Sequence, residues 1–295
     1  MLPLTCDAHV DPLWQLSGYA MLSTPNGPMV TKERMQFGGH DRVVLALYMS
    51  DSAQKQIGDV ASWEAIKLQL AAAQNLYPDE FIALEGGRVL GQDPVTAILR
   101  LHELIQAGIR YVTLLHNADN QLGSSATDTR HTGLTRLGKE IVQECELHNV
   151  PVDISHADDR TAQEVMNCSK QPVIASHSGC YAVTRSPRNL VDYQIKNIAL
   201  SGGIVCVPFA RKFVGSIEGV AQHIDHICQM TGTTTRVGIG SDLDGALMVD
   251  GCRGAEDWSS VVLEPLIKRG YTDEQIQQVA GGNLLKFLKG LWILP

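Results

Sequence analysis

What the sequence lacks narrows the reading first. No apolar stretch approaches the roughly 18 residues that a membrane-spanning helix needs; the longest, such as Val43 to Met49, are far shorter. Lysine and arginine form no run or stripe, and the formal net charge is −8 with a pI near 5.7. Nothing therefore tracks a phosphate backbone, and neither nucleic acid nor a membrane is an expected partner. The seven cysteines are odd in number and contain no Cys-x-x-Cys pair. That argues against a disulfide frame and a thiolate zinc site and favours a reducing compartment. Any metal must then be held by histidine and carboxylate. The start, Met1 to Thr5, lacks the basic residues and apolar core of an export signal, so the expected location is the cytoplasm. Internal repeats and low-complexity tracts are missing too, and no glycine-rich phosphate turn follows the first β-rich run.

What is present is enough apolar residue for a large core: 44% hydrophobic against 19% charged over 295 residues. That length allows two domains or one large barrel. Glycine and proline punctuate it at short, even intervals, which predicts one domain over residues 1–295. Short β-rich runs fall at Thr5 to His9, Val43 to Met49, Phe81 to Leu84, Tyr111 to Leu115, Val150 to Ile154, Val173 to Ala175, Ile204 to Val207 and Arg236 to Ile239. Stretches of helical period lie between them with their own start and stop chemistry. Asp93-Pro94 opens one that Gly108 closes, Asp192 opens another before Gly202-Gly203, Gly232 and Gly270 end two more, and Thr272 with Gln275 forms a capping box. Eight strands alternating with helices predict a (β/α)8 TIM-like barrel, with an open doubly wound sheet as runner-up.

Polar residues at strand ends are the strongest chemical signal. His9 and Asp11 follow the first run, Glu85 the third, His116 the fourth, His156 the fifth, His177 the sixth and Asp242 the eighth. In a barrel these ends converge on one mouth. His9 and Asp11, two apart on a strand, point the same way and can chelate one ion. Imidazole and carboxylate suit zinc, and a single carboxylate such as Glu85 can bridge two ions. Taken singly, each residue has a plainer reading: a histidine at a strand end is usually a surface residue, and Asp11 or Asp242 can simply cap a helix. As a set they point to a binuclear metal site. His223 and His226 are expected on an exposed helix face. His40, His102, His131 and His148 have no ligand partner at useful spacing, and Leu99, Leu101, Leu104 and Ile105 read as a core-facing stripe.

These residues resemble the membrane (renal) dipeptidase family of binuclear zinc peptidases. The resemblance rests on Asp7-Ala8-His9-Val10-Asp11-Pro12-Leu13-Trp14, Leu84-Glu85-Gly86-Gly87, Leu114-Leu115-His116-Asn117, Asp153-Ile154-Ser155-His156 and Ser176-His177-Ser178. It continues through Pro187-Arg188-Asn189, Gly238-Ile239-Gly240-Ser241-Asp242-Leu243-Asp244-Gly245 and Gly281-Gly282-Asn283-Leu284, in family order over nearly the whole chain. It implies a distorted (β/α)8 barrel holding two Zn²⁺ per chain. His9 and Asp11 would bind one ion, His156 and His177 the other, and Glu85 would bridge them. His116 would bind substrate, Arg188 would pair with its terminal carboxylate, and Asp242 would handle the proton. The family pattern favours Asp242 for that role, while spacing alone leaves Asp244 open. The implied reaction is hydrolysis of dipeptides with a free C-terminal carboxylate, including L-Xaa-D-Xaa, by a metal-bridging hydroxide. Alternatives are hydrolysis of another amide, lactone or cyclic amide, and a non-catalytic metal-binding barrel. The expected partners are a small dipeptide and, as an allowed oligomer, a second copy in a homodimer. Two departures from typical members stand out. The stretch between Asp11 and Glu85 is short, and Val207-Pro208-Phe209-Ala210-Arg211-Lys212 replaces a segment that usually carries an aromatic hydroxyl.

Overall fold

The computed structural model describes residues 4–17, 27–128 and 130–290. Eight strands, β1 (Cys6–Val10), β2 (Arg42–Tyr48), β3 (Phe81–Glu85), β4 (Val112–Thr113), β5 (Val152–Asp153), β6 (Ile174–Ala175), β7 (Ile204–Val207) and β8 (Val237–Ile239), form a closed barrel in sequence order. The closing pair is parallel and sets Asp7 opposite Ile239. That closure excludes the open sheet. Helices α1 (Lys32–Gly38), α2 (Asp51–Ile57), α3 (Asp59–Leu76), α4 (Pro94–Gln106), α5 (Arg136–Leu147), α6 (Asp159–Cys168), α7 (Asp192–Leu200), α8 (Arg211–Val214), α9 (Ile217–Thr231), α10 (Glu264–Lys268), α11 (Asp273–Gln277) and α12 (Asn283–Leu288) complete the (β/α)8 pattern. None of the described helices is long and apolar enough to cross a membrane. The described residues group into two compact units. Among the described residues, one draws on 4–12, 27–44 and 175–290, the other on 13–17, 45–128 and 130–174.

Every expected β-rich run overlaps a strand. Val43, Val44, Leu45, Ala46 and Leu47 of β2 are all fully buried, so this strand reads as an unbroken apolar run rather than an alternating one. β1 lies one residue later than expected, and β4, β5 and β6 have two residues each. At the end of β5 a side chain competes with the ladder. The Asp153 carboxylate accepts the Thr113 hydroxyl at 2.6 Å and the Ser155 N–H at 2.9 Å, giving the backbone an alternative to the ladder.

The helix punctuation holds as well. Asp93 accepts the Thr96 N–H at 2.9 Å with Pro94 as first helical residue, and Thr272 and Gln275 cap each other reciprocally. At α7 the cap differs from a simple Asp192 start, because the Gln194 side chain accepts the Val191 N–H at 3.0 Å. The apolar stripe of α4 needs a correction: Leu101 and Leu104 are buried, but Leu99 is 63% exposed. Arg100 takes the inward position. Its guanidinium pairs with Asp59, donates to the Val89 carbonyl and lies over Trp63, so a charged residue fills a core slot through hydrogen bonds.

Candidate metal and active site

In the first unit the site is built from the exits of β1, β6 and β8. Asp7, His9 and Asp11 alternate onto one side of the chain. The buried Asp7 carboxylate accepts the N–H groups of His9 at 3.0 Å and Ser241 at 2.8 Å. Burial pushes its pKa up to about 6 against those hydrogen bonds. Asp7 thus joins the two strand exits. Two backbone bonds reinforce the join, Asp242 N–H to the His9 carbonyl at 3.0 Å and Asp11 N–H to the Leu243 carbonyl at 2.9 Å. His9 Nε2 lies 3.5 Å from Asp11 Oδ2, both residues being buried. The His9 ring packs against that of His177 with centroids 4.0 Å apart, and His177 Nδ1 bonds the Ser176 hydroxyl at 2.8 Å.

His9, Asp11 and Asp242 bring one ligand atom each to within 4.8 Å of one another. Asp242 reaches that position from a left-handed backbone, φ 64°. Gly245 makes room for it, since a Cβ there would fall on Asp11 Oδ2 and Asp242 Oδ1. The cradle between the two carboxylates therefore exists because residue 245 has no side chain, which suits an ion. Asp244, also left-handed, is differently employed: its two oxygens accept the Met29 and Val30 N–H groups at 2.8 and 3.0 Å. Burial raises its pKa to about 6 despite those bonds. Geometry thus groups Asp242, and not Asp244, with His9 and Asp11. Arg188 is buried beside the same exits, with its Nη2 3.5 Å from the His177 carbonyl and its guanidinium over Phe213. Asn189 anchors this loop by accepting the Gly179 N–H and donating to the Thr184 and Phe213 carbonyls.

In the second unit Glu85 ends β3, and its Oε1 lies 3.1 Å from His156 Nε2. The His116 and His156 rings are 4.7 Å apart, and Glu85, His116 and His156 also bring ligand atoms within 4.8 Å of one another. His156 is a third left-handed residue, φ 69°. Gly87 lets the Glu85 loop close down, because a Cβ there would strike the Leu114 carbonyl and the Leu122 side chain. His116 has supports that sequence reasoning missed. Its Nδ1 lies 3.3 Å from Asp51 Oδ2, Asp51 Oδ1 accepts Arg88 Nε–H at 2.6 Å, and Arg88 also donates to the Asp119 carbonyl. Burial alone would raise the Asp51 pKa, but the His116 and Arg88 hydrogen bonds outweigh it and hold the carboxyl low. The only local signal was Asp51 at the start of a helix, where an acidic residue is ordinary.

The remaining histidines differ in part from expectation. His223 is buried, not on an exposed face: its Nδ1 accepts the Cys180 N–H at 2.8 Å, and burial, with His226 adding, lowers its pKa to about 4. His226 pairs with Asp192 at 2.8 Å, His131 with Asp158 at 3.1 Å, and His102 with Glu144 at 3.0 Å. These partners are 27 to 42 residues distant in sequence, beyond what local spacing reveals.

The donors gathered in both units are imidazoles and carboxylates without a thiolate, the set that suits zinc and its neighbours. Comparison with known proteins agrees. The family model described as membrane dipeptidase, peptidase family M19, matches residues 41–291. The chain belongs to the membrane dipeptidase family. Among its curated relatives, the dipeptidase verJ of Clonostachys rogersoniana is 34% identical over 215 residues, 70% of this chain and 54% of that protein. The chain spans about half the length of the curated relatives it matches. Among solved structures of the membrane dipeptidase fold, the M19 metallopeptidase named dipeptidase AC superposes with a TM-score of 0.82 at 23% identity, over 99% of both chains. A metallopeptidase from Rhodobacter sphaeroides, liganded with a phosphinate mimic of L-Ala-D-Ala, gives 0.81 at 22% identity over 99% of this chain and 100% of that one.

Proposed function

We propose that the chain is a metal-dependent dipeptidase that hydrolyses dipeptides with a free C-terminal carboxylate, L-Xaa-D-Xaa among them. The observation that carries this reading is the pair of buried imidazole–carboxylate clusters at strand exits, in a chain of the membrane dipeptidase family. The Rhodobacter sphaeroides relative with its L-Ala-D-Ala mimic supports the L,D substrate class. His9 and Asp11 would hold one zinc and His156 and His177 the other, with Glu85 shared between them. Bound there, the two ions would supply a water-derived nucleophile at neutral pH and polarise the scissile carbonyl.

The protein's own groups do the rest. Asp242 takes the proton of the attacking water on a carboxylate oxygen and returns it to the departing amine. Arg188 offers a planar fork to the substrate's carboxylate, and its burial keeps water from competing for that pairing. His116 contacts the substrate beside His156, with its ring direction fixed by Asp51 on Nδ1 and Asp51 in turn fixed by Arg88. The buried cation Arg188 favours a carboxylate-bearing peptide over a lactone. The test is metal analysis of the zinc-loaded protein beside hydrolysis of a dipeptide panel with L- and D-residues at the second position. Two ions per chain with cleavage of free dipeptides is the expected result. Cleavage of lactones or cyclic amides only, or no turnover at full occupancy, overturns the proposal.

A further inference from the structure

A second kind of ligand set lies on the outer helices of the second unit. His102 stands on α4, Glu144 on the last turn of α5, and His148 at the C-terminal cap of α5. Glu144 and His148 are four residues apart, which puts them on one helix face. Glu144 Oε2 lies 3.0 Å from His102 Nε2 and 4.0 Å from His148 Nε2, and the two rings meet edge to face with centroids 4.8 Å apart. All three ligand atoms lie within 4.8 Å of one another, and the side chains are partly open to solvent, so an ion can enter.

The dimensions fit a metal. Tetrahedral zinc with bonds near 2.0–2.1 Å separates its ligands by roughly 3.3–3.4 Å. Reaching that spacing from 3.0 and 4.0 Å takes only side-chain adjustments. One carboxylate oxygen flanked by two imidazole edges is more than a single histidine–glutamate hydrogen bond requires. Two nitrogen donors select a zinc-class ion over calcium or magnesium. The last turn of α5 carries no lysine or arginine of its own, and the negative end of a helix favours a cation.

We propose that His102, Glu144 and His148 bind one zinc-class divalent ion, with a water completing the tetrahedron, and that this ion ties α4 to α5. The clasp would steady the turn that runs from His148 through Asn149 into β5. No residue of the proposed active site takes part. The test counts zinc in the wild-type protein and in the His102→Ala/His148→Ala variant after equilibration at low micromolar zinc, with circular dichroism as the fold control. The difference between the two counts is independent of how many ions the barrel mouth holds, so it stands or falls apart from the dipeptidase reading. One ion fewer per chain in the variant is expected, together with loss of a tetrahedral Co²⁺ absorption band that the wild type shows when equilibrated with Co²⁺ instead. The single substitution His148→Gln, at a partly exposed position, should give the same loss. Equal counts in wild type and variants overturn the proposal.

Discussion

His40 offers a quantitative test of the core in the first unit. It is 4% exposed and stacked on Trp258 at 4.1 Å, and neither ring nitrogen has a hydrogen-bond partner. Burial without a partner lowers its pKa from 6.5 to about 3. In the unfolded chain the imidazole regains its ordinary value, so between these two values the unfolded state binds a proton that the folded state refuses. The stability this neutral ring permits is present above pH 6.5 and is lost as pH falls toward 3. From pH 7 to pH 5 this one group costs about 2 kcal/mol. His40→Phe keeps an aromatic ring on Trp258 and removes the titration. Any overpacking by the larger ring is the same at both pH values and cancels. Urea unfolding of metal-free wild type and variant at pH 7 and pH 5 measures the effect. The variant should lose about 2 kcal/mol less than wild type over that interval. An identical loss in both proteins refutes the reasoning, because His40 would then be protonated in the fold or hydrogen-bonded.

The other predictions concern the mouth. Asp242→Asn should leave metal content and substrate binding nearly unchanged while turnover falls by about 10²- to 10⁴-fold; loss of an ion would make Asp242 a ligand instead. Glu85→Gln should lower zinc content and activity together, since a neutral amide bridges cations poorly, and normal content in elemental analysis would remove Glu85 from the site. Arg188→Ala should weaken free dipeptides by roughly 10- to 150-fold in KM while C-terminally amidated ones change little; equal losses would show that the clamp is misassigned. Asp51→Asn should reduce kcat by roughly 10- to 100-fold at unchanged zinc content, and unaltered kcat would mean that His116 needs no support on Nδ1.

The barrel was legible because its signals are local. A strand buried on both faces, such as β2, is a continuous apolar run, and cap residues such as Asp93 and Thr272 act within one helical turn. The same holds for His9, Asp11, Glu85, His156 and His177, whose positions follow from standing at strand exits. What stayed hidden depends on distant partners. Asp51 is unremarkable until the fold brings His116 to it, 65 residues away. Arg100 looks like a surface residue until Asp59 and Val89 satisfy it, and its inward turn is what leaves Leu99 outside. His223 is buried because the Cys180 N–H and the Thr184 hydroxyl meet its two nitrogens, neither of which the helical pattern encodes. The choice between Asp242 and Asp244, open on spacing, turns on two backbone N–H groups at Met29 and Val30, more than 200 residues away.

The left-handed backbone at His156, Asp242 and Asp244 has a consequence for selection. L-residues held in this region cost on the order of 1–3 kcal/mol each, least for aspartate, and a glycine would sit there without strain. At His156 and Asp242, then, the substitution that most relaxes the chain also deletes the group proposed to bind metal or move the proton. A library of variants ranked by heat resistance alone would enrich for glycine at these positions and so for inert barrels. Under the proposed function, thermal robustness and hydrolysis are selected in opposite directions at these two positions, and their backbone angles mark the conflict.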